Sequence, residues 1–319
     1  MLVSLRHMTK KLFIAATGQH KGKTTSTLGI AASLKKQGLN VGYCKPVGQN
    51  HILIGDAMVD KDVVLFENLL NFKTVPAVHS PVIISSGVTQ GFIENPDKFN
   101  FIDQIRAAQK YLEANHDVVV FEGTGHAGVG SIVNLSNAQV AKMLGSDVIL
   151  VAEGGIGSTF DQLNMNLALF RELNVSVKGV IINKVLPEKR EKVLHCLQKM
   201  LAPMGIPILG LLPYDSVLSY PLLATIKNAI TGKVLLNEDK LYNQVEDIIA
   251  GSLIAVEDLK RFCNVVLIVN IENLKAKIQK IKQKSEQEGF ETSPLSGVII
   301  TSYSKFKGSP NMADVNDSY

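Results

Sequence analysis

The sequence has no tryptophan, only three cysteines and no apolar run that approaches the length of a membrane span. Cys44, Cys196 and Cys263 lie far apart and form neither a Cys-x-x-Cys pair nor a Cys/His cluster. A disulfide framework and a zinc site are therefore not indicated, and free thiols in a reducing cytoplasm fit best. Because a spanning helix needs roughly 20 apolar residues, we expect no membrane association.

Positive charge is also scarce for a nucleic-acid-binding protein, since the formal net charge is +4. The densest basic stretch, residues 275–284, alternates with glutamine and isoleucine at helical spacing, which favours a solvated helix face. Aromatic residues make up 6% of the chain and form no platform with the basic residues on which bases could stack. We expect no nucleic-acid partner.

The length of 319 residues exceeds what one core usually organises, so the sequence predicts two domains. The predicted boundaries give an N-terminal extension at 1–10, a first domain at 11–216, a smaller α/β domain at 217–303 and a disordered tail at 304–319. We expect no signal peptide, because the apolar stretch at the start is short and interrupted.

In the first domain, nearly continuous apolar runs alternate with stretches of helical periodicity. The runs predict strands at 12–16, 41–47, 118–121, 147–151, 177–182 and 208–211. This alternation predicts a three-layer α/β fold with a mostly parallel sheet that is covered on both faces. Residues 72–98 contain three prolines and predict a loop-rich insertion.

The second domain is predicted as a series of short elements. Its helices are expected at 222–230 and 275–288, its strands at 233–235, 265–269 and 297–300, and further short elements at 244–250 and 256–261. We find no internal repeat in the chain.

The stretch Thr17 to Thr25 reads Thr-Gly-Gln-His-Lys-Gly-Lys-Thr-Thr and lies between the first predicted strand and a helical pattern. Strand, glycine-containing loop and helix are the context of a phosphate-binding loop, in which backbone N–H groups and the positive helix end meet an anion. Lys23 would reach the β- and γ-phosphates, and the Thr24 hydroxyl would bind Mg²⁺. The match has one defect, because Thr17 stands where the usual pattern has its first glycine. The context nevertheless predicts nucleotide binding.

Functional groups of a parallel sheet collect at the carboxyl ends of its strands. Five residues fall there: Thr17, Lys45, Glu122, Gly154 and Asn183. Lys45 either places a cation near the γ-phosphate or an anionic substrate, or is a surface lysine before a turn. For Glu122, binding of Mg²⁺ directly or through water is favoured over a structural carboxylate that caps the turn. Four glycines within 123–130 favour close approach of a ligand.

Each of the remaining candidate residues has a functional and a structural interpretation. Asp60 and Asp62 are either a second metal carboxylate or the acidic start of a helix. His20 and His126 lie in glycine loops, where a solvated histidine is the commoner reading than a phosphate contact. Asn183 either presents its amide to an adenine edge or closes a turn.

Several motifs in this order resemble the dethiobiotin synthetase-like group of P-loop proteins. The motifs are Thr17 to Thr24, Lys45-Pro46-Val47, Glu122 to Gly125, Asn183-Lys184-Val185 and Leu209 to Pro213. The resemblance covers residues 11–212 and is closer to the version found as the N-terminal region of long bacterial phosphotransacetylases. That family also lacks the first loop glycine, which accounts for Thr17.

The resemblance implies an ATP site with Mg²⁺ and a role for each matched residue. The nucleotide-binding residues would be Thr17, Gly18, Lys21, Gly22, Lys23, Thr24, Thr25 and Asn183, the last reading the adenine. Thr24, Asp62 and Glu122 would bind Mg²⁺. Lys23 and Lys45 would be catalytic, with Lys45 near the γ-phosphate and the substrate. A homodimer with an interface beside the site is also implied.

The second domain resembles the small domain named for an Asp-Arg-Thr-Gly-Gly motif, which follows the P-loop domain in those phosphotransacetylases. The motif is absent, because Asn270-Ile271-Glu272 stand where such domains carry glycine and Asp-Arg. The chain ends before an acetyltransferase domain, so we do not expect a phosphotransacetylase. The turn after Glu122 departs from that of dethiobiotin synthetases, so dethiobiotin synthesis is not implied.

Three functions remain as expectations. The first is a nucleotide-responsive regulatory protein that binds ATP and Mg²⁺, hydrolyses ATP slowly and signals to a protein partner. The second is a synthase in which ATP phosphorylates a substrate carboxylate and an amine attacks the acyl phosphate, with Lys23, Lys45 and Glu122 stabilising the transferred group. The third is a structural subunit that binds nucleotide for stability. The first is favoured, because the nucleotide side is intact while the substrate-side turn departs.

Overall fold

The computed structural model describes residues 9–250, 264–287, 289 and 294–301. The chain divides into two compact units, Met1–Tyr214 and Asp215–Tyr319. None of the helices in these described ranges combines the length and the apolar character that a membrane crossing requires.

The first unit alternates strands and helices along the chain. Its strands are β1 Lys10–Ala16, β2 Val41–Cys44, β3 Val47–Gly48, β4 His51–Ile54, β5 Ala57–Asp60, β6 Val82–Ile83, β7 Val118–Glu122, β8 Asp147–Glu153, β9 Val177–Val185 and β10 Ile208–Pro213. Its helices are α1 Lys23–Lys36, α2 Asp62–Leu70, α3 Pro76–His79, α4 Val88–Glu94, α5 Phe101–Asn115, α6 Asn137–Leu144, α7 Gly157–Glu172 and α8 Arg190–Leu201.

Six of these strands form one sheet in the order β10-β9-β8-β1-β7-β2, and every neighbouring pair is parallel. β7 is buried along its whole length, as expected of a strand whose two faces are both covered by helices. The predicted α/β fold with a mostly parallel sheet is confirmed. All carboxyl ends of these strands therefore lie at one edge, where a site is expected.

The sheet separates two apolar cores because successive side chains of a strand point to opposite faces. On β1, Phe13 belongs to the core formed with α5, α6, α7 and α8. The next residue, Ile14, belongs to the core that contains Ala31 of α1 and Phe66 of α2. The helices thus form one layer on each face of the sheet, which gives the predicted three layers.

The start of α6 is set by a capping box at Ser136. The Ser136 hydroxyl accepts from the Gln139 backbone N–H at 3.2 Å, and the Gln139 side chain accepts from the Ser136 N–H at 2.8 Å. Gly145 ends the helix in the left-handed conformation, with φ of 59°.

The structure corrects two expectations for the first unit and adds one element that was not predicted. The insertion at 72–98 is not a loop alone, because it contains α3, β6 and α4. A hairpin formed by β4 and β5 was not predicted, since its side chains Ile52, Leu53 and Ile54 are exposed and do not alternate with polar residues. Asn183 does not lie past a strand, because β9 continues to Val185.

The second unit contains α9 Leu223–Ala229, β11 Asp247–Ala250, β12 Val265–Asn270, α10 Leu274–Gln287 and β13 Leu295–Thr301. β11, β12 and β13 form a parallel sheet in that order, and α10 packs on it through Leu274, Ile278 and Ile281. The predicted strand at 233–235 is wrong, since these residues pair with no strand of the described part. The predicted element at 256–261 and the tail at 304–319 lie outside the described residues.

Candidate functional site

The phosphate-binding loop fills the space between the carboxyl end of β1 and the start of α1. The Thr17 N–H donates to the carbonyl of Val151 at 2.9 Å, which ties the loop to β8. Gly22, the last loop residue, has φ of 84°, and a Cβ there would lie 1.8 Å from Nδ2 of Asn183. Only glycine fits such a position. The first turn of α1 carries no acidic residue, so its N–H groups and positive helix end remain complementary to an anion.

β8 and β9 hold the loop from the other side. The Asn183 amide donates to the carbonyl of Lys21 at 3.0 Å, and the Lys184 ammonium donates to the carbonyl of His20 at 2.8 Å. Glu153 accepts from Lys21 and also pairs with Lys184, 3.3 Å away. The hydrogen bond from Lys21 lowers the pKa of Glu153 below its ordinary value. Asn183 therefore contacts the loop backbone in this structure, and its adenine role stays a prediction.

Glu122, at the end of β7, is the centre of the site. Its side chain is fully buried, and its Oε1 lies 2.7 Å from both the Lys23 Nζ and the Thr24 Oγ1. Its Oε2 accepts from the Tyr43 hydroxyl at 3.1 Å, and the Tyr43 ring stacks on Phe66 with centroids 3.6 Å apart. Burial, and then the charge of Glu122, raise the pKa of Tyr43 well above its ordinary value. This phenol therefore stays protonated and orients the carboxylate.

Lys45 is buried between two carboxylates, Asp60 at the end of β5 and Asp62 at the start of α2. Its Nζ lies 3.0 Å from the Asp60 Oδ1 and also pairs with the Asp62 Oδ2. Asp60 is further committed to the backbone, because it accepts from the N–H groups of Gln49 and Asp62 at 3.1 Å each. Asp62 is the carboxylate that lies against the loop, with its Oδ2 3.4 Å from the Thr24 Oγ1.

Charge, more than burial, sets the titration of this pair. Burial alone would lower the pKa of Lys45, but the negative charges of Glu122, Asp60 and Asp62 outweigh it and raise the pKa. Burial alone would raise the pKa of Asp62, but the charge and the hydrogen bond of Lys45 outweigh it and lower the pKa. Both groups are therefore ionised at neutral pH.

The structure brings together five of the sequence-predicted site residues at the edge of the sheet: Lys23, Thr24, Lys45, Asp62 and Glu122. Thr25 is exposed on the next position of α1, and a Cβ placed on Gly18 would lie 3.5 Å from the Cε of Lys21. Sequence reasoning missed Tyr43 and Glu153. Tyr43 lies inside an apolar run, so its contact with Glu122 had no local signal. Glu153 ends a strand, which is the one signal that pointed to it.

The glycine-rich turn after Glu122 is explained by packing. A Cβ on Gly123 would lie 2.6 Å from the Oδ1 of Asn137, and Gly125 has φ of 63°. The Asn137 side chain accepts from the Thr124 N–H at 2.9 Å and donates to the carbonyls of Thr124 and His126 at 2.7 and 2.6 Å. Asn137 therefore accounts for Gly123, while the positive φ of Gly125 and the Val129 side chain, 2.7 Å from a Cβ placed there, account for Gly125. The sequence had assigned these glycines to a ligand.

The oxygen atoms available to a metal ion are two carboxylates and one hydroxyl. In the described ranges, no group of three or more His, Cys, Asp or Glu side chains converges in a metal-binding arrangement. Thr24, Asp62 and Glu122 nevertheless bring three hard oxygen donors together. This donor set fits Mg²⁺, which usually takes one or two carboxylates and completes its shell with water and phosphate oxygens.

Comparisons with known proteins agree with this architecture. The AAA_26 family, described as an AAA domain, matches residues 10–221. The chain is 27% identical over 293 residues to a protein of Methanococcus vannielii named "Probable cobyric acid synthase", which covers 83% of this chain and 57% of the relative. It is 25% identical over 247 residues to a "Phosphate acetyltransferase" of Nitrosomonas europaea, covering 74% of this chain and 34% of the relative.

The chain thus spans about half the length, or less, of these curated relatives. Among solved structures, it is similar to the septum site-determining protein MinD of Pyrococcus horikoshii complexed with Mg-ADP. The sequence identity is 18% and the TM-score 0.38, over 66% of this chain and 84% of the other. A TM-score this low supports no conclusion about this protein. The family match covers well over half of the chain, and the chain belongs to the AAA_26 family of AAA domains.

Proposed function

We propose that this protein binds ATP with Mg²⁺ at the Glu122 cluster, hydrolyses it slowly and uses the bound nucleotide to regulate a protein partner. One observation carries the proposal: the Lys23 ammonium and the Thr24 hydroxyl meet the same buried oxygen of Glu122 at the start of a helix. Binding of a nucleoside triphosphate requires a cation, a metal-ligating hydroxyl and an open helix N-terminus at one point.

The charge of the cluster supports a need for a divalent cation. Lys23 and Lys45 are the two ammonium groups, and Asp60, Asp62 and Glu122 are the three carboxylates, so the five groups carry a net charge of −1. A polyphosphate would be repelled by such a cluster in the absence of metal. Thr24, Asp62 and Glu122 would hold Mg²⁺, which would supply the missing positive charge next to the phosphates.

In hydrolysis, the side chains of this chain act mainly by position and charge. Lys23 is placed at the helix start, where it neutralises charge on the β- and γ-phosphates. Glu122 is held by the Tyr43 hydroxyl, so its second oxygen stays aimed at Lys23 and Thr24. Lys45 is paired with two carboxylates, which limits its approach to the γ-phosphate. This pairing supports slow turnover.

The alternative is an ATP-dependent ligase. In that reaction a substrate carboxylate oxygen attacks the γ-phosphorus, ADP leaves, and an amine displaces phosphate from the acyl phosphate. Two observations favour it: the relative named cobyric acid synthase, and a buried Lys45 at the same sheet edge as Lys23.

The homodimer, the cytoplasmic location and the resemblance of the second unit to the small phosphotransacetylase domain also stay proposals.

ATP turnover by the whole chain separates the two functions. Wild type, Lys45→Ala and the exposed control Lys73→Ala are assayed with Mg²⁺, alone and with a panel of carboxylate and diamine metabolites. For the regulator, we expect slow turnover that no metabolite changes. A metabolite that raises turnover in wild type and Lys73→Ala, but not in Lys45→Ala, would establish the ligase instead.

A further inference from the structure

A cavity of about 430 Å³ lies within the second unit, bounded by α9, the segment 230–241, α10 and β13. Small-molecule sites commonly measure about 300–1,000 Å³. Its walls are largely aliphatic, and they include Leu223, Ile226, Leu235, Ile278, Ile281 and Val298. The cavity is therefore large enough for an organic molecule and suited to an apolar one.

The charges that line this cavity have one sign. Lys227, Lys233, Lys240 and Lys282 all contribute to its lining, and no carboxylate does so among the residues that the structure describes. Lys240 pairs at 3.4 Å with Asp239, but both side chains of that pair are largely exposed. An apolar cavity with lysines around it is complementary to a molecule that joins an apolar body to an anionic group.

One wall of the cavity has the backbone geometry that is common at ligand sites. The segment 232–236 forms neither helix nor strand, and it is flanked by Thr231 and Asn237, both with φ of 53°. The left-handed conformation is costly for a β-branched threonine, and such strain is concentrated at ligand clamps and switch regions. The Gly232 N–H donates to the carbonyl of Lys227 at 2.8 Å, which fixes where the segment leaves α9.

We propose that this cavity binds a small amphipathic carboxylate, with its aliphatic body between α9 and α10 and its carboxylate against Lys227 and Lys233. The proposal does not depend on ATP binding, because every residue that lines the cavity belongs to the second unit. The nearest chemical probe is decanoate, which combines an aliphatic chain with one carboxylate.

Calorimetric titration of the whole chain with decanoate tests the site. Decanol and decyltrimethylammonium carry a similar chain with no charge and with a positive charge. We expect decanoate to bind about tenfold more tightly than either, because a charge-assisted contact adds to the apolar one. Saturating ATP with Mg²⁺ should leave this binding unchanged. Competition with ATP, or equal binding of decyltrimethylammonium, would overturn the proposal.

Two kinds of variant localise the binding. Lys227→Gln combined with Lys233→Gln should weaken decanoate binding about tenfold without changing decanol binding, whereas Lys280→Gln on α10, outside the lining, should change neither. Ile226→Trp should remove binding by filling the cavity. If Ile226→Trp does not fold, the lysine variants decide. Decanoate binding that all these changes leave intact, or no decanoate binding at all, contradicts the proposal.

Discussion

The two units of this protein arrange their charges in opposite ways. In the first unit, Lys23 and Lys45 are paired with buried or half-buried carboxylates, and the cluster has an excess of negative charge. In the second, lysines surround an apolar cavity whose described lining contains no carboxylate. By the proposals above, the first arrangement would require a divalent cation before it accepts a polyanion, whereas the second would accept an anion directly. Similar α/β elements would then serve two kinds of anion recognition.

The contrast between the two units depends first on the burial of Glu122. Glu122→Ala should therefore lower the stability of the protein more than the other substitutions below. The change leaves Lys23, 11% exposed, without its buried partner and removes the acceptor of the Tyr43 hydroxyl. We expect a loss of about 3–5 kcal/mol in the free energy of unfolding, the usual cost of breaking a buried pair. Urea unfolding followed by far-ultraviolet circular dichroism measures it.

Asp147→Ala is the matched control for Glu122→Ala, because its partner Lys178 is 3.4 Å away and both side chains are about half exposed. An exposed pair of this kind contributes about 1 kcal/mol or less. If Glu122→Ala and Asp147→Ala lose the same stability, burial of the first cluster has no special weight, and the contrast between the units fails.

His79, whose backbone carbonyl supports Lys45, should make the stability of the first unit depend on pH. The carbonyl of His79 accepts from the Lys45 N–H at 2.9 Å, and the Nδ1 of His79 accepts from the Val75 N–H at 2.9 Å. Burial lowers the pKa of His79 from 6.5 to about 4. Because the unfolded chain takes up this proton at higher pH than the folded one, stability should fall by about 3 kcal/mol as the pH falls from 6.5 to 4.

His79→Asn keeps an acceptor near the Val75 N–H but does not titrate in this range, so its stability should change less with pH. His126→Asn, at an exposed loop histidine, should keep the wild-type slope. Urea unfolding at pH 7, 5.5 and 4 measures the three proteins. Parallel pH profiles for wild type and His79→Asn would remove His79 as the cause.

The loop conformation offers an intermediate effect. Gly22→Ala places a Cβ 1.8 Å from the Asn183 amide at φ of 84°, so we expect a loss of about 1–3 kcal/mol in stability together with weaker ATP binding. Gly29→Ala, in the interior of α1, meets no described atom within 4 Å and should stabilise the protein by up to about 1 kcal/mol. Thermal unfolding of both variants checks the sign, and equal shifts would contradict the loop geometry.

The smallest expected effect is a change in ATP binding on substitution of Glu153. This half-exposed carboxylate holds Lys21 and Lys184, so Glu153→Gln would make the first site more like the second by releasing two cations. We expect ATP with Mg²⁺ to bind a few-fold more tightly, since an exposed pair contributes little. Calorimetry against the exposed control Glu172→Gln measures the change. Weaker binding in Glu153→Gln would show that the carboxylate positions the loop.

The sequence predicted the first unit well because its strands carry the signal in themselves. Buried runs such as 118–121 are short, rich in β-branched residues and preceded by a helical pattern, which favours strands covered on both faces, and the carboxyl ends of parallel strands fall at one edge. What the sequence did not predict depends on partners distant in the chain. The Tyr43 contact with Glu122, the loop support by Asn183 and the packing of Asn137 against Gly123 are set by tertiary structure alone.

The second unit shows where prediction from the sequence fails. Its helices and two of its strands follow from apolar periodicity, but the predicted strand at 233–235, which contains Val234 and Leu235, forms a cavity wall instead. Periodicity cannot tell an apolar segment that pairs from one that packs beside a cavity. The cavity itself has no sequence signature, since it is built from residues of three separate segments of the chain.

The most direct test of the account is calorimetric titration of the whole chain with ATP, in Mg²⁺ and in excess chelator, for wild type, Lys23→Ala and the exposed control Lys36→Ala. We predict that wild type and Lys36→Ala bind ATP when Mg²⁺ is present and much more weakly without it. Lys23→Ala should bind about ten- to hundredfold more weakly in Mg²⁺. Binding by Lys23→Ala equal to wild type, or no binding by wild type in Mg²⁺, would contradict the nucleotide site.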